Sequence, residues 1–201
     1  VGLVVISGFL RMASVMRFVV LVATLGSAAC ARSPVVGTRL ALSPLPGTDG
    51  AAHAVEPSQA RLMVLFFFAN HCPCQAAHDA RLRDLYARYH VRGVDFLAVD
   101  SEVGATPSRD AAEAAVRGYP FPILIDQGGA LAKRLGAQYA TESFVIDREG
   151  TVRYHGGIDS DKRHLHPDAT PFLRDALDDL LADRPPRRSE GKALGCALQT
   201  W

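Results

Sequence analysis

Residues 61–69, RLMVLFFFA, form an apolar run with no polar alternation, and it ends directly at N-H-C-P-C. A run of that length and composition suits a strand buried on both faces, which requires a layer of structure above and below it. The residues that follow, 73–90, place Ala77, Leu82, Leu85, Tyr86 and Tyr89 at helical spacing with arginines between them. A buried strand therefore delivers Cys72 and Cys74 to the start of a helix. Downstream, VDFLAVD (94–100) reads as a second core strand, 108–118 as a helix closed by Gly118, and FPILID (121–126) as a third strand. A short helix is expected over 129–136, a hairpin around D-R-E-G over 143–156, and a last helix over 170–184 with Pro171 near its start. The order β-α-β-α-β-α-β-β-α predicts an α/β three-layer sandwich. Its sheet is mixed and mostly parallel, with helices on both faces and the hairpin as an antiparallel edge.

The cysteine placement has a chemical meaning. A thiol at a helix N-terminus meets unsatisfied N–H groups and the positive end of the helix dipole, so its thiolate is favoured. Pro73 suits the first helical position, which makes Cys72 the N-cap, Cys74 the second helical residue and Gln75 the third. Gln75 is then placed to reach back to the Cys72 backbone, as in a capping box. Residues three apart on a helix lie about 60° apart around the axis, and residues two apart about 160°. A C-x-C pair therefore closes only with the first cysteine bent out of helical geometry, and an N-cap residue already is. The other partner open to either thiol is Cys196, in KALGCALQTW, because loop-closure entropy grows only logarithmically with separation.

The first thirty residues differ from the rest. They are apolar, with Arg11 and Arg17 and no acid, and the uncharged stretch Phe18–Ala31 is about 14 residues, short of the roughly 20 that span a bilayer. This suits an export signal with Arg17 ahead of its apolar segment. Ser27, Ala28 and Ala29 before Cys30 resemble a bacterial lipoprotein signal, in which Cys30 becomes the lipidated N-terminus. The expected organisation is a signal over 1–30, a Pro/Gly/Ser/Ala-rich linker and lead-in over 31–60 with a short strand near 38–42, a domain over 61–184, and a tail over 185–201 carrying Cys196. The chain is then expected on the periplasmic side of a bacterial cell envelope, anchored by lipid at Cys30. There thiols tend to be paired, catalytic or metal-bound. A net charge of +1 gives no electrostatic basis for nucleic acid or an anionic membrane surface, and membrane contact is expected only through the lipid. The sequence sets no oligomeric state.

The buried strand running into cysteines at a helix start, the β-α unit, the hairpin and the final helix together resemble the thioredoxin fold, and within it the redoxin branch. FFFANHCPCQ is similar to the thioredoxin pattern F-W-A-x-W-C-G-P-C-K, and closer to a redoxin subgroup reading N-H-C-P-x-V followed by R-L. Asn70, His71, Cys72, Pro73, Arg81 and Leu82 match that subgroup, and FVIDREGTVRYHGGID (144–159) resembles the family's hairpin. The resemblance spans roughly 60–182. It implies an envelope thiol-disulfide oxidoreductase acting on protein thiols and disulfides without a cofactor. Cys72 stands at the nucleophile's position, Gln75 at that of the usual second cysteine, and Cys74 is an addition, so Cys74 or Cys196 would resolve the mixed disulfide. His71 replaces the family's tryptophan. Thr141 stands where the family's cis-proline faces the nucleophile, which implies an altered substrate groove and less protection of the thiols from metals. That motivates an alternative, a copper(I) or zinc metallochaperone using Cys72, Cys74 and His78. Sco-type copper chaperones share the fold but space their cysteines C-x-x-x-C. His164 and His166 read as loop residues, and Arg81 and Arg83 as a solvated helix face. A lesser alternative, peroxidase, lacks support because residues 65–72 carry neither Thr nor Pro of the P-x-x-x-T-x-x-C signature.

Overall fold

A computed structural model of the chain describes residues 1–2, 35–41, 43–55 and 60–200. The signal-like segment, Cys30 and Trp201 lie outside them. Among the described residues no helix is long and apolar enough to cross a membrane.

The apolar run is the central strand of the sheet. In chain order the elements are β1 (Leu45–Pro46), β2 (Ala52–His53), β3 (Leu62–Phe68), α1 (Pro73–Tyr89), a 3-10 turn (His90–Arg92), β4 (Val94–Asp100), α2 (Pro107–Arg117), β5 (Ile123–Ile125), α3 (Ala130–Leu135), β6 (Ser143–Asp147), β7 (Val152–Gly156) and α4 (Phe172–Leu181). The five-stranded sheet has the order β5-β4-β3-β6-β7. β3 pairs parallel with β4 from Leu62↔Val94 to Phe68↔Asp100, and antiparallel with β6 from Leu62↔Asp147 to Phe66↔Ser143. β4 and β5 pair parallel, and β6 and β7 form the expected hairpin. β6 alone runs against the other four strands, so the fold is the mixed-sheet α/β sandwich that the element order implied, and it has the thioredoxin-like form that the resemblance implied.

All seven β3 side chains are buried, and they alternate between two cores. Leu62, Val64, Phe66 and Phe68 pack with Leu82, Leu85 and Tyr89 of α1 and Leu173 and Leu177 of α4. Met63, Leu65 and Phe67 face the other way, against Leu131, Ala132 and Leu135 of α3 and against Leu40 and Val55 of the lead-in. Each such side chain contributes roughly 1.5–3 kcal/mol of burial, which fixes the register of β3 and hence the height at which it delivers Cys72. α2 ends as expected at Gly118, whose φ of 63° an L side chain rarely adopts.

One expectation changes. The short strand near 38–42 is only an isolated bridge, Arg39↔Thr151, while the lead-in pairs as the separate hairpin β1–β2. The segment after α4 lies on the domain. His155 N–H donates to Ser189 O at 3.0 Å and Gly191 N–H to His155 O at 2.9 Å, so this segment covers the outer edge of β7.

A buried acid pair sits at the end of β4. Asp100 is fully buried and accepts from Glu102 N at 2.8 Å and from the Arg109 guanidinium at 2.7 Å, and the same guanidinium donates to Asp110. Asp110 Oδ2 is buried without a partner. Burial, with the neighbouring Asp110 carboxylate, pushes the Asp100 carboxyl up to about 7. A carboxyl with a raised folded-state pKa holds a proton that the unfolded chain has already released, so its contribution to stability is lost as pH rises through that window. Urea unfolding is expected to show stability falling between about pH 4 and 7, from the ordinary carboxyl range to the raised value, by a few kcal/mol. Asp100→Asn should remove the part of that slope carried by Asp100. An unchanged slope would mean that Asp100 is ionised throughout.

Candidate active site

The site is built where β3 ends and α1 begins. Cys72 is the N-cap of α1, with φ −83° and ψ 113°, and its Sγ accepts from Gln75 N–H at 3.4 Å. Pro73 takes the first helical position. The Gln75 side chain does not turn back to cap the helix. Its Nε2 donates to the Tyr119 hydroxyl at 2.9 Å, and its Oε1 is buried without a partner. Tyr119 in turn donates to Asp79. The pull is lateral because α2 and the segment after it place polar groups beside α1.

Arg117, at the end of α2, holds the loop that carries Cys72. Its guanidinium donates to Asn70 O at 2.6 Å, to Asp79 at 3.0 Å and to Glu113 at 2.7 Å, and it lies 5.4 Å from the centre of the Phe68 ring. Burial raises the Asp79 pKa, against the pull of Tyr119 and Arg117. The sequence reading did not single out Arg117, because Asp79 and the Asn70 carbonyl lie 38 and 47 residues away in the chain.

The third element is the C-terminal segment. Cys72 and Cys196 are joined by a disulfide across 124 residues, with Cα atoms 5.9 Å apart. Ala140 N–H donates to Cys196 O and Leu198 N–H to Gln138 O, both at 2.8 Å, and Tyr139 and Ala197 form an antiparallel bridge. Residues 196–198 thus lie as a strand on residues 138–140. Gly195 is required by close approach: a Cβ there would overlap the Ala140 carbonyl oxygen.

Thr141 is buried with φ 71°, and among the described residues no peptide bond is cis. A β-branched residue in this left-handed region costs roughly 1–2 kcal/mol. The surrounding bonds offset it. Thr141 N–H donates to Phe67 O at 2.7 Å, and Ser143 Oγ donates to Thr141 O at 3.0 Å. The buried Glu142 carboxylate accepts from Gln138 N at 2.7 Å, from Tyr139 N at 3.0 Å and from His155 Nε2. Glu142 thereby sets the backbone on which the C-terminal segment pairs, a role the sequence reading did not assign.

Cys74 is a free, buried thiol. The Sγ atoms of Cys72, Cys74 and Cys196 all lie within 4.8 Å of one another. They sit among Ala69, Ala140 and Leu198. His71, next to Cys72 in the chain, is exposed. His78 is fully buried rather than a surface residue, and both of its ring nitrogens are engaged, Nδ1 with Cys74 O at 2.8 Å and Nε2 with Asp159 at 3.2 Å. Burial opposes its protonation, but the hydrogen bonds to Asp159 and Cys74 O raise its pKa overall. His78 therefore stands away from the sulfur cluster. Arg81 is not a solvated residue either: it donates to Asp159, to Asp161 and to His166 O, joining α1 to the loop after β7. Chemically, the arrangement holds a disulfide whose N-terminal sulfur caps a helix, with a third thiol in reach.

A family model described as Redoxin matches residues 19–169, more than half of the chain. Over 95 residues the chain is 30% identical to thiol-disulfide oxidoreductase ResA of Bacillus thuringiensis subsp. konkukian, a match covering 44% of this chain and 50% of the relative. The chain thus spans about half the length of the curated relatives it matches. Among solved structures, a hypothetical protein from Sinorhizobium meliloti 1021 superposes with a TM-score of 0.77 at 28% identity, covering 84% of this chain and 96% of that one. Peroxidoxin BcpB from Mycobacterium tuberculosis gives 0.53 at 22% identity, covering 74% and 94%, a likeness of fold.

Proposed function

The chain belongs to the redoxin family, and on that premise we propose that it is a thiol-disulfide oxidoreductase of the bacterial cell envelope, with Cys72 as nucleophile and Cys196 as resolving thiol. The observation that carries this reading is the disulfide between the N-cap cysteine of α1 and Cys196, laid on residues 138–140. The likeness to a relative named as a thiol-disulfide oxidoreductase supports it.

In the reduced protein the Cys72 thiolate, favoured at the helix N-terminus, attacks one sulfur of a protein disulfide. A mixed disulfide forms, and the other substrate sulfur leaves as a thiolate and takes a proton. The Cys196 thiolate then attacks the Cys72 sulfur, the Cys72–Cys196 bond forms, and the second substrate sulfur departs. Two electrons pass from the two cysteines to the substrate, and an external dithiol restores them. The exchange uses sulfur and protons alone and needs no cofactor. The partners are protein thiols and disulfides, met on the periplasmic face with the chain held by lipid at Cys30. The apolar leader and the small residues before Cys30 motivate the anchor.

One experiment tests both parts. The full chain is expressed in a bacterial host, fractionated, and mapped by mass spectrometry without reductant. Recovery in the membrane fraction is expected, with Cys30 as a lipidated N-terminus, Cys72 joined to Cys196, and Cys74 free. A Cys72–Cys74 linkage would overturn the resolving role of Cys196, and an unmodified Cys30 in a soluble fraction would overturn the anchor.

A further inference from the structure

From the convergence of three sulfur atoms, we infer that reduction of the Cys72–Cys196 disulfide opens a three-coordinate copper(I) site formed by Cys72, Cys74 and Cys196. This goes beyond disulfide exchange, in which Cys74 has no part.

The geometry suits a trigonal ion. Metal–sulfur bonds of about 2.3 Å place three coplanar sulfurs about 4.0 Å apart. The three Sγ atoms here lie within 4.8 Å of one another with one pair still bonded, so breaking that bond and a small relaxation bring all three to chelating distance. Among the described residues this is the one set of three or more cysteine, histidine or carboxylate ligand atoms that converges in this way. The donor set is wholly thiolate, which selects soft ions, copper(I) foremost. The setting is apolar, formed by Ala69, Ala140 and Leu198, and the set supplies no fourth ligand for zinc, which favours tetrahedral coordination. The histidine that a sequence argument would recruit is elsewhere engaged, since both His78 ring nitrogens have partners and its Nδ1 faces the Cys74 carbonyl. The charge is also partly met: three thiolates with copper(I) carry a net charge of −2, and Gln75 N–H at the positive end of α1 points at the Cys72 sulfur.

The balance of the reaction is simple. An external dithiol supplies two electrons and two protons to the Cys72–Cys196 bond. Copper(I) then displaces the thiol protons as it binds, with no change in its own oxidation state. Oxidation of Cys72 and Cys196 removes two of the three ligands and releases the ion. The site is therefore set by the same bond that the exchange chemistry makes and breaks.

The test is an anaerobic titration of the full chain with copper(I) against a competing chromophoric chelator, in the reduced and oxidised states. The reduced chain should bind one copper(I), with a thiolate-to-copper charge-transfer band in the near ultraviolet, and the oxidised chain none. Cys196→Ser and Cys74→Ser should each weaken binding by at least about 100-fold, more than an outer-sphere change produces. His78→Gln should leave the affinity unchanged. Equal affinity in Cys196→Ser, loss of binding in His78→Gln, or tighter binding of zinc(II) than of copper(I) would overturn the assignment. Circular dichroism of each variant separates ligand loss from misfolding, and a variant that misfolds is replaced by Cys196→Ala or Cys74→Ala at the same position. A reduced chain that binds no copper(I) would end this inference while leaving exchange intact, because exchange is read from turnover of a disulfide substrate.

Discussion

In Cys196→Ser, steady-state disulfide reduction is expected to fall by about 100-fold or more, while the first attack on substrate survives and leaves it bound to Cys72. The reason is geometric. Cys196 reaches Cys72 as part of a strand held by the Ala140–Cys196 and Gln138–Leu198 hydrogen bonds, and Gly195 permits the approach. That placement makes the second displacement intramolecular, and its loss leaves resolution to solution thiols or to Cys74. Cys74 is close in space, but it lies inside the first turn of α1 and is left free where Cys72 is joined to Cys196. Mass spectrometry without reductant should therefore find a covalent adduct at Cys72 in Cys196→Ser. Cys72→Ser should give neither adduct nor turnover, and Cys74→Ser should keep turnover near the parent rate. If Cys196→Ser turns over at the parent rate and Cys74→Ser accumulates the adduct, the resolving thiol is Cys74 and the proposed role of Cys196 fails.

The sequence carried the core and the helix cap plainly, and the rest of the site poorly, for reasons that differ by residue. An apolar run of strand length, without alternation and rich in Phe, suits a strand covered on both faces, so β3 was legible, and with it the arrival of Cys72 at the N-cap. Pro73 marked the first helical residue for the same local reason. Gln75 was placed correctly on the helix, but its side chain follows Tyr119, a partner 44 residues away that local capping rules cannot see. His78 illustrates the converse. Its spacing from Cys74 suggested a shared ligand face, and the two do meet, but through the Cys74 carbonyl rather than its sulfur. Asp159, which takes the other ring nitrogen, lies 81 residues on, inside a motif recognisable only as a hairpin signature. Thr141 stood out because it replaces a proline, and the structure shows what replacement entails: a left-handed trans residue held in place by Glu142 and Ser143. Cys196 was a candidate by elimination among thiols, whereas its seating on residues 138–140 depends on backbone hydrogen bonds that no side-chain pattern announces.

The largest loss of stability from a single polar substitution is expected at Arg117. Arg117→Ala should lower the free energy of unfolding by about 3–5 kcal/mol, a large share of the roughly 5–15 kcal/mol typical of a domain. The Arg117 side chain is 7% exposed and Asp79 is 15% exposed, so removing the guanidinium leaves a carboxylate in a setting from which water is largely excluded. The burial that already raises the Asp79 pKa would then act with less opposition, and the carboxyl should take up a proton at higher pH. Glu113 and Asn70 O lose a donor at the same time. Arg117→Lys should recover less than half of the loss, because one ammonium cannot reproduce a planar fork that serves three acceptors. Asp79→Asn in the Arg117→Ala background should restore part of the stability, giving a coupling energy well above the measurement error. Urea unfolding of the parent, Arg117→Ala, Arg117→Lys, Asp79→Asn and the Arg117→Ala/Asp79→Asn double variant measures these terms. Activity supplies the readout that a merely structural role would not move. Asn70 lies two residues before Cys72, so freeing its carbonyl loosens the turn that aims the proposed nucleophile. The folded fraction of Arg117→Ala should therefore turn over more slowly than the parent chain. A loss of stability below about 1 kcal/mol would show that the desolvated ion pair is not what holds α2 to the site.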